Sequence, residues 1–145
     1  MVLRILLLLV CCLPAHASAQ SVHFCQKDYP IDTSTADCIK GTPNLKPLSS
    51  LKNLRRLILM YTDTVSVVDL GSVISLRKLL LGHTQVVDLS PLSSLHSLEL
   101  LDISYTPVRD LSPLHGLKNL KMLSLKGSQV SASNIQAFKL SLIHI

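Results

Sequence analysis

Four segments of the chain superpose at a spacing of 22 residues without an insertion: LKNLRRLILMYT from Leu51, VISLRKLLLGHT from Val73, LHSLELLDISYT from Leu95 and LKNLKMLSLKGS from Leu117. A sequence with this period is built from one small unit, and each unit buries its apolar face only by stacking on its neighbours. The columns run through every copy. Leu54, Leu76, Leu98 and Leu120 align, as do Leu57, Leu79, Leu101 and Leu123, and Leu59, Leu81, Ile103 and Leu125. Thr64, Val86, Val108 and Val130 form a weaker column. Leu45, Val67, Leu89 and Leu111 form another, and so do Leu48, Leu70, Leu92 and Leu114. Leucine supplies 31 of the 145 residues, 23 of them between Leu45 and Leu125, against 5 aromatic residues. That composition excludes a disordered, collagen-like or multi-domain chain.

Within each unit the apolar period changes. Leu57-x-Leu59 and its copies alternate at two, as a short strand requires, whereas Leu48, Leu51 and Leu54 and their copies recur at three, as a tight helical turn requires. Pro47, Pro91 and Pro113 stand where such a turn begins. The pattern predicts an α/β solenoid: a parallel sheet on the concave side and 3₁₀ turns on the convex side.

The ends differ from the middle. Met1 to Ala19 reads as a secretory signal, with Arg4 in the n-region, Ile5 to Leu13 as the apolar run and Ala17-Ser18-Ala19 as the cleavage site. The apolar run is about nine residues, short of the roughly 20 that span a bilayer. Export to the periplasm or the exterior is therefore expected, with residues 20–145 as the mature chain. The whole chain carries +5, and the mature chain would carry +4. It would keep Cys25 and Cys38, an even number in an exported protein, so one disulfide is expected. A metal or redox role for this pair is disfavoured by the absence of C-x-x-C spacing and of nearby histidines other than His23.

Residues 20–46, with Phe24, Tyr29, Ile31 and the cysteine pair, read as an N-terminal cap, and residues 47–130 as the four repeats. Residues 131–145 read as a C-terminal cap: Ser131 to Asn134 offer helix-starting residues, and Ile135, Phe138 and Leu142 follow at helical spacing. A strand-like ending over Ile143 to Ile145 is expected, and the chain reads as complete.

The run Leu76-Arg77-Lys78-Leu79-Leu80-Leu81-Gly82-His83-Thr84-Gln85-Val86 resembles the leucine-rich repeat motif L-x-x-L-x-L-x-x-N-x-L, with Thr at the usual Asn position. The 22-residue length and the V-x-D-L-S-P-L phrase at Val86 to Leu92 and Val108 to Leu114 are similar to the internalin-like bacterial class. The resemblance covers residues 45–145. It implies the solenoid above and a binding role, since such stacks host many unrelated partners. At the Asn position stand Thr62, Thr84, Thr106 and Ser128. Their hydroxyls are expected to form a structural ladder that bridges adjacent turns of the stack.

Side chains between the buried leucines of the strands face the concave side. They include Gly82, Leu100, Ser104, Met122, Ser124, Lys126 and Gly127. The expected contact residues are Arg56, Ile58, Met60, Tyr61, Lys78, Leu80, His83, Asp102 and Tyr105, an apolar group with tyrosines at its rim. A basic patch of Arg55, Arg56, Arg77 and Lys78 adjoins it, with Lys121 and Lys126 beyond and Glu99 and Asp102 breaking the row. Such charge would steer an anionic partner.

Catalysis finds no support in the pattern. His23, His83, His96, His115 and His144 form no H-x-x-x-H pair, and there is no Gly-rich phosphate loop. No cofactor, metal or nucleic-acid partner is expected. The sequence thus points to a monomeric, exported interaction module that binds a macromolecule, foremost a protein, on its concave sheet. Three other roles are consistent with the pattern: binding an anionic envelope or host-surface glycan, inhibiting an exported enzyme, or structural self-association. A host-facing role, implied by the internalin resemblance, would rest on a far smaller surface than long family members present.

Overall fold

The structure, a computed structural model, describes residues 20–142. The expected signal segment Met1 to Ala19 and the strand-like ending Ile143 to Ile145 lie outside the described residues. No helix among the described residues is long and apolar enough to cross a membrane.

The element order is β1 (Ser21–Phe24), β2 (Lys27–Pro30), β3 (Thr35–Asp37), β4 (Arg56–Ile58), β5 (Lys78–Leu80), β6 (Leu100–Asp102), β7 (Met122–Ser124) and α1 (Ala132–Leu142). Four 3₁₀ turns, Lys46–Ser50, Val68–Ser72, Ser90–Ser94 and Ser112–Leu114, alternate with strands β4 to β7. Strands β3 to β7 make one parallel sheet in chain order, and β1 and β2 form an antiparallel hairpin.

The sheet is wider than the four repeats alone supply. β3 comes from the segment read as a cap, and it pairs with β4 through Thr35↔Arg56 and Asp37↔Ile58. Its offset is 21 residues rather than 22 and its inward residue is Ala36 where the repeats have leucine, so it falls outside the leucine columns. Ala36 and Cys38 nevertheless alternate inward as Leu57 and Leu59 do, and all four are buried.

The hairpin closes the open end of the solenoid. Val22, Phe24 and Tyr29 face the core, with the two rings 6.2 Å apart. The Tyr29 hydroxyl donates to Asp37 at 2.9 Å and accepts the Asp37 N–H at 3.1 Å, which fastens the hairpin to β3. Cys25, in the hairpin turn, is disulfide-bonded to Cys38, just past β3, with Cα atoms 5.6 Å apart. Lys27 pairs with Asp37 beside it. That bond, foremost, holds the Asp37 carboxyl below the usual range, while burial raises the Tyr29 hydroxyl.

The convex turns have a local cause. The side chains of Asn44, Ser66, Asp88 and Asp110 each accept the N–H two residues on, from Lys46, Val68, Ser90 and Ser112. This bends the chain into the turn. Three of the turns carry proline in their first positions, where the missing N–H costs nothing. Asp69 stands at that place in the second.

All leucine columns converge on one continuous core. It loosens only in the last unit, where Leu123, Leu125 and Val130 are half-buried. There α1 covers the stack. The Ser131 hydroxyl accepts the Asn134 N–H at the helix start, Phe138 is buried against the last repeat, and the Asn134 amide donates to the Arg109 carbonyl at 2.9 Å.

Candidate functional site

The parallel register stacks equivalent residues into rows across the concave face. Arg56, Lys78, Leu100 and Met122 form the first row, and Ile58, Leu80, Asp102 and Ser124 the second. Beyond the strands the same neighbour bonds continue: the Tyr61, His83 and Tyr105 N–H groups donate to the carbonyls of Gly82, Ser104 and Lys126. Met60, Gly82, Ser104 and Lys126 therefore form a third row, and Tyr61, His83, Tyr105 and Gly127 a fourth.

The fourth row is a column of stacked rings. Tyr61, His83 and Tyr105 all have left-handed backbone, with φ of 59, 59 and 54°. For non-glycine residues this costs of order 1 kcal/mol each. The next residue holds each turn closed: Thr62, Thr84 and Thr106 donate their hydroxyls to the carbonyls of Leu59, Leu81 and Ile103 at 2.7–2.8 Å. The three rings stack, with centroids 4.4 Å apart and interplanar angles of 15 and 18°. Strand spacing of about 4.8 Å is close to that of stacked rings, so the backbone repeat itself builds the column. It ends at Gly127, where an added Cβ would lie 2.5 Å from the Tyr105 ring. Lys126 sits 5.9 Å from the centre of that ring. Tyr61 is 54% and Tyr105 45% exposed.

This geometry corrects the ladder expected of Thr62, Thr84, Thr106 and Ser128. The three threonines are buried, but each bonds a carbonyl of its own unit, and none bridges to a neighbour. A hydroxyl is too short to reach the next backbone once it has closed its own turn. Ser128 makes the equivalent bond with its backbone N–H, to Leu125. Along the stack, the bridging contacts come from other residues: Ser75 to Leu54, Ser94 to Gly71 and Asn119 to His96.

Two further placements differ from the expectation. Gly82 is buried rather than solvent-facing, because the Met60 side chain and the Asp102 and Ser104 side chains close over it. Asp102 does not interrupt the basic row. It stands in the second row, half-buried, where its carboxylate accepts the Ser104 N–H and hydroxyl at 2.9 and 2.6 Å.

The remaining predicted contact residues do come together. Ile58, Met60 and Leu80 are half-buried, while Arg56, Lys78, Tyr61, His83 and Tyr105 are exposed. Leu100 is half-buried and Met122 exposed, which carries the apolar character across to β7. At the opposite end of the strands from the rings, Arg55, Arg56, Arg77 and Lys78 line a shallow cleft of about 360 Å³ with Ser34 and Thr35. Sequence reasoning missed Ser34 and Thr35 because they lie just before and at the start of the leucine-free strand β3. Glu99 is the acidic neighbour of this group, bonded to Arg77 and to Lys121 at 3.2 Å each. Lys121, then Arg77 and Lys78, hold its carboxyl below the usual range. Among the described residues no cluster of three or more His, Cys, Asp or Glu could hold a metal.

Comparison with known proteins agrees with this architecture. The family model for leucine rich repeats (2 copies) matches residues 74–114. An internalin from Listeria monocytogenes superposes with a TM-score of 0.65 at 24% identity, over 74% of this chain and 31% of its own. Internalin C2 from the same organism superposes with a TM-score of 0.57 at 34% identity, over 66% of this chain and 42% of its own. A plant peptide hormone receptor, solved in complex with RGF2, shares the fold at 14% identity, with a TM-score of 0.56 over 68% of this chain and 18% of its own. The chain thus spans less than half the length of each. No curated protein sequence matches it.

Proposed function

The chain is a leucine-rich repeat protein of the internalin-like kind, and we propose that it is an exported interaction module whose concave face binds a protein. The observation that carries this reading is the exposed Tyr61–His83–Tyr105 column beside the half-buried Ile58, Met60 and Leu80. Tyrosine offers a large contact area with few rotatable bonds, and it is enriched where binding energy concentrates. Here the rings are already stacked before any partner arrives, so association orders little that was free.

Leucine-rich repeat proteins are generally interaction modules rather than enzymes, and a plant peptide hormone receptor that shares the fold was solved in complex with RGF2. Export is supported by the leader pattern of Met1 to Ala19 and by the disulfide, which persists in oxidising compartments. The partner-contacting set proposed is Arg56, Ile58, Met60, Tyr61, Lys78, Leu80, His83 and Tyr105, with Asp102 supporting the floor beneath them.

The test compares the chain with its Tyr61→Ala/Tyr105→Ala form as baits on envelope and secreted fractions, both first shown folded by circular dichroism. A protein retained by the first and lost by the second is the expected result. Identical retention by both removes the concave face from the interaction.

A further inference from the structure

The cations at one end of the concave face are arranged as a pair of doublets. The Arg55 and Arg56 N–H groups both donate to the Ser34 carbonyl, and the Arg77 and Lys78 N–H groups both donate to the Arg55 carbonyl. All four residues of the two doublets are exposed. The register then sets Arg56 directly against Lys78. Like charges opposite one another across a strand pair destabilise it. Glu99 forms an ion pair with only one member, Arg77, is shared with Lys121, and acts on Lys78 without contact. Among the described residues Arg55, Arg56 and Lys78 have no ion pair.

We infer that this cleft is the anion-binding end of the concave site and that it takes carboxylates of an acidic protein segment whose following residues are apolar. The inference rests on the concave-face reading above and specifies the chemistry of the partner. A guanidinium fork matches a carboxylate with two parallel hydrogen bonds, and Arg56 with the Lys78 ammonium opposite it on the neighbouring strand accommodates a pair of acidic side chains. The next row toward the rings is Ile58 and Leu80, so a segment lying along the strands passes from charge to apolar contact within one residue pair. From Arg56 to Tyr61 is five residues, at most ~16 Å at roughly 3.3 Å each, a span that an extended peptide of about five residues covers. A long polyanionic glycan fits less well. The uncompensated cations span two strands, and the third strand presents Glu99 at the equivalent position.

The test is titration of the full chain, by calorimetry and by amide NMR, with a blocked peptide of two Glu followed by Leu-Ser-Leu-Ser, offered in both orders. Its Gln-Gln counterpart and a heparin-derived hexasaccharide are run beside it. The Glu peptide is expected to perturb amides around Arg55, Arg56 and Lys78, to bind about tenfold more tightly than the Gln peptide, and to weaken as salt is added. Arg56→Gln/Lys78→Gln, both exposed sites, should remove that preference, while Lys118→Gln on the last repeat leaves it unchanged. Equal binding of the Glu and Gln peptides, no binding of the Glu peptide, or an effect of Lys118→Gln as large as that of the double variant overturns the inference. So does displacement of the peptide by the hexasaccharide, which assigns the cleft to a glycan. These failures leave the Tyr61/Tyr105 capture result standing, whereas loss of that result with the peptide preference intact removes the protein partner and keeps the anion site.

Discussion

At the residue scale, the side chains after each strand do two jobs at once. Thr62, Thr84 and Thr106 close a left-handed turn from below, and the closed turn aims Tyr61, His83 and Tyr105 outward. Replacing Thr84 by Val keeps the shape and removes the hydroxyl, leaving the buried Leu81 carbonyl without that donor. The expected loss is about 1–2 kcal/mol in urea denaturation, with disturbed NMR shifts at the His83 ring. A second consequence lies on the convex side. Asp110 accepts the Ser112 hydroxyl and N–H, and Asp88 is held likewise by Ser90, so both carboxyls lie below the usual aspartate value. A lowered native value means that the ionised form supports the fold above the ordinary aspartate range, and that this support is lost as pH falls through the lowered value. Asp88→Asn/Asp110→Asn keeps an acceptor that no longer titrates. Its urea midpoint should fall less steeply across the acid range than that of the parent.

At the scale of elements, a strand of three residues has little stability of its own, and the solenoid secures its ends by separate means. The first end relies on a hairpin tied by the Tyr29 hydroxyl and the Cys25–Cys38 bond. Cys25→Ser/Cys38→Ser should cost about 3 kcal/mol in the chain-entropy account. Hydrogen exchange should show the loss concentrated in β1 to β3, with β5 and β6 still protected. The other end relies on Phe138 of α1, and Leu123 and Leu125 remain half-buried beneath it.

At the scale of the whole molecule, each repeat touches only its neighbours, so the cost of a cavity depends on how many neighbours enclose it. Leu79 and Leu123 occupy the same column, the first fully buried between two repeats and the second half-buried at the end. Leu79→Ala should cost about 2–5 kcal/mol, and Leu123→Ala less than half as much, measured as chemical denaturation of each variant. The same stacking holds the concave rows in register, and they grade from basic through apolar to aromatic over the first two repeats.

The 22-residue period determined the solenoid, its parallel sheet, the convex turns and the order of the rows, because the spacing of leucines is set by the backbone that must bury them. The even cysteine pair and the helical spacing of Ile135 and Phe138 likewise carried the two caps. Only the tertiary structure decided that β3 joins the sheet, since Ala36 stands at a different offset and where the period leads one to look for leucine. It also decided that the threonines bond within their units, that Gly82 lies beneath Met60, and that the rings stack face to face. These depend on where side chains of neighbouring repeats meet. A period fixes which residues become neighbours, but the space and the hydrogen-bond partners they find there come from the packed stack.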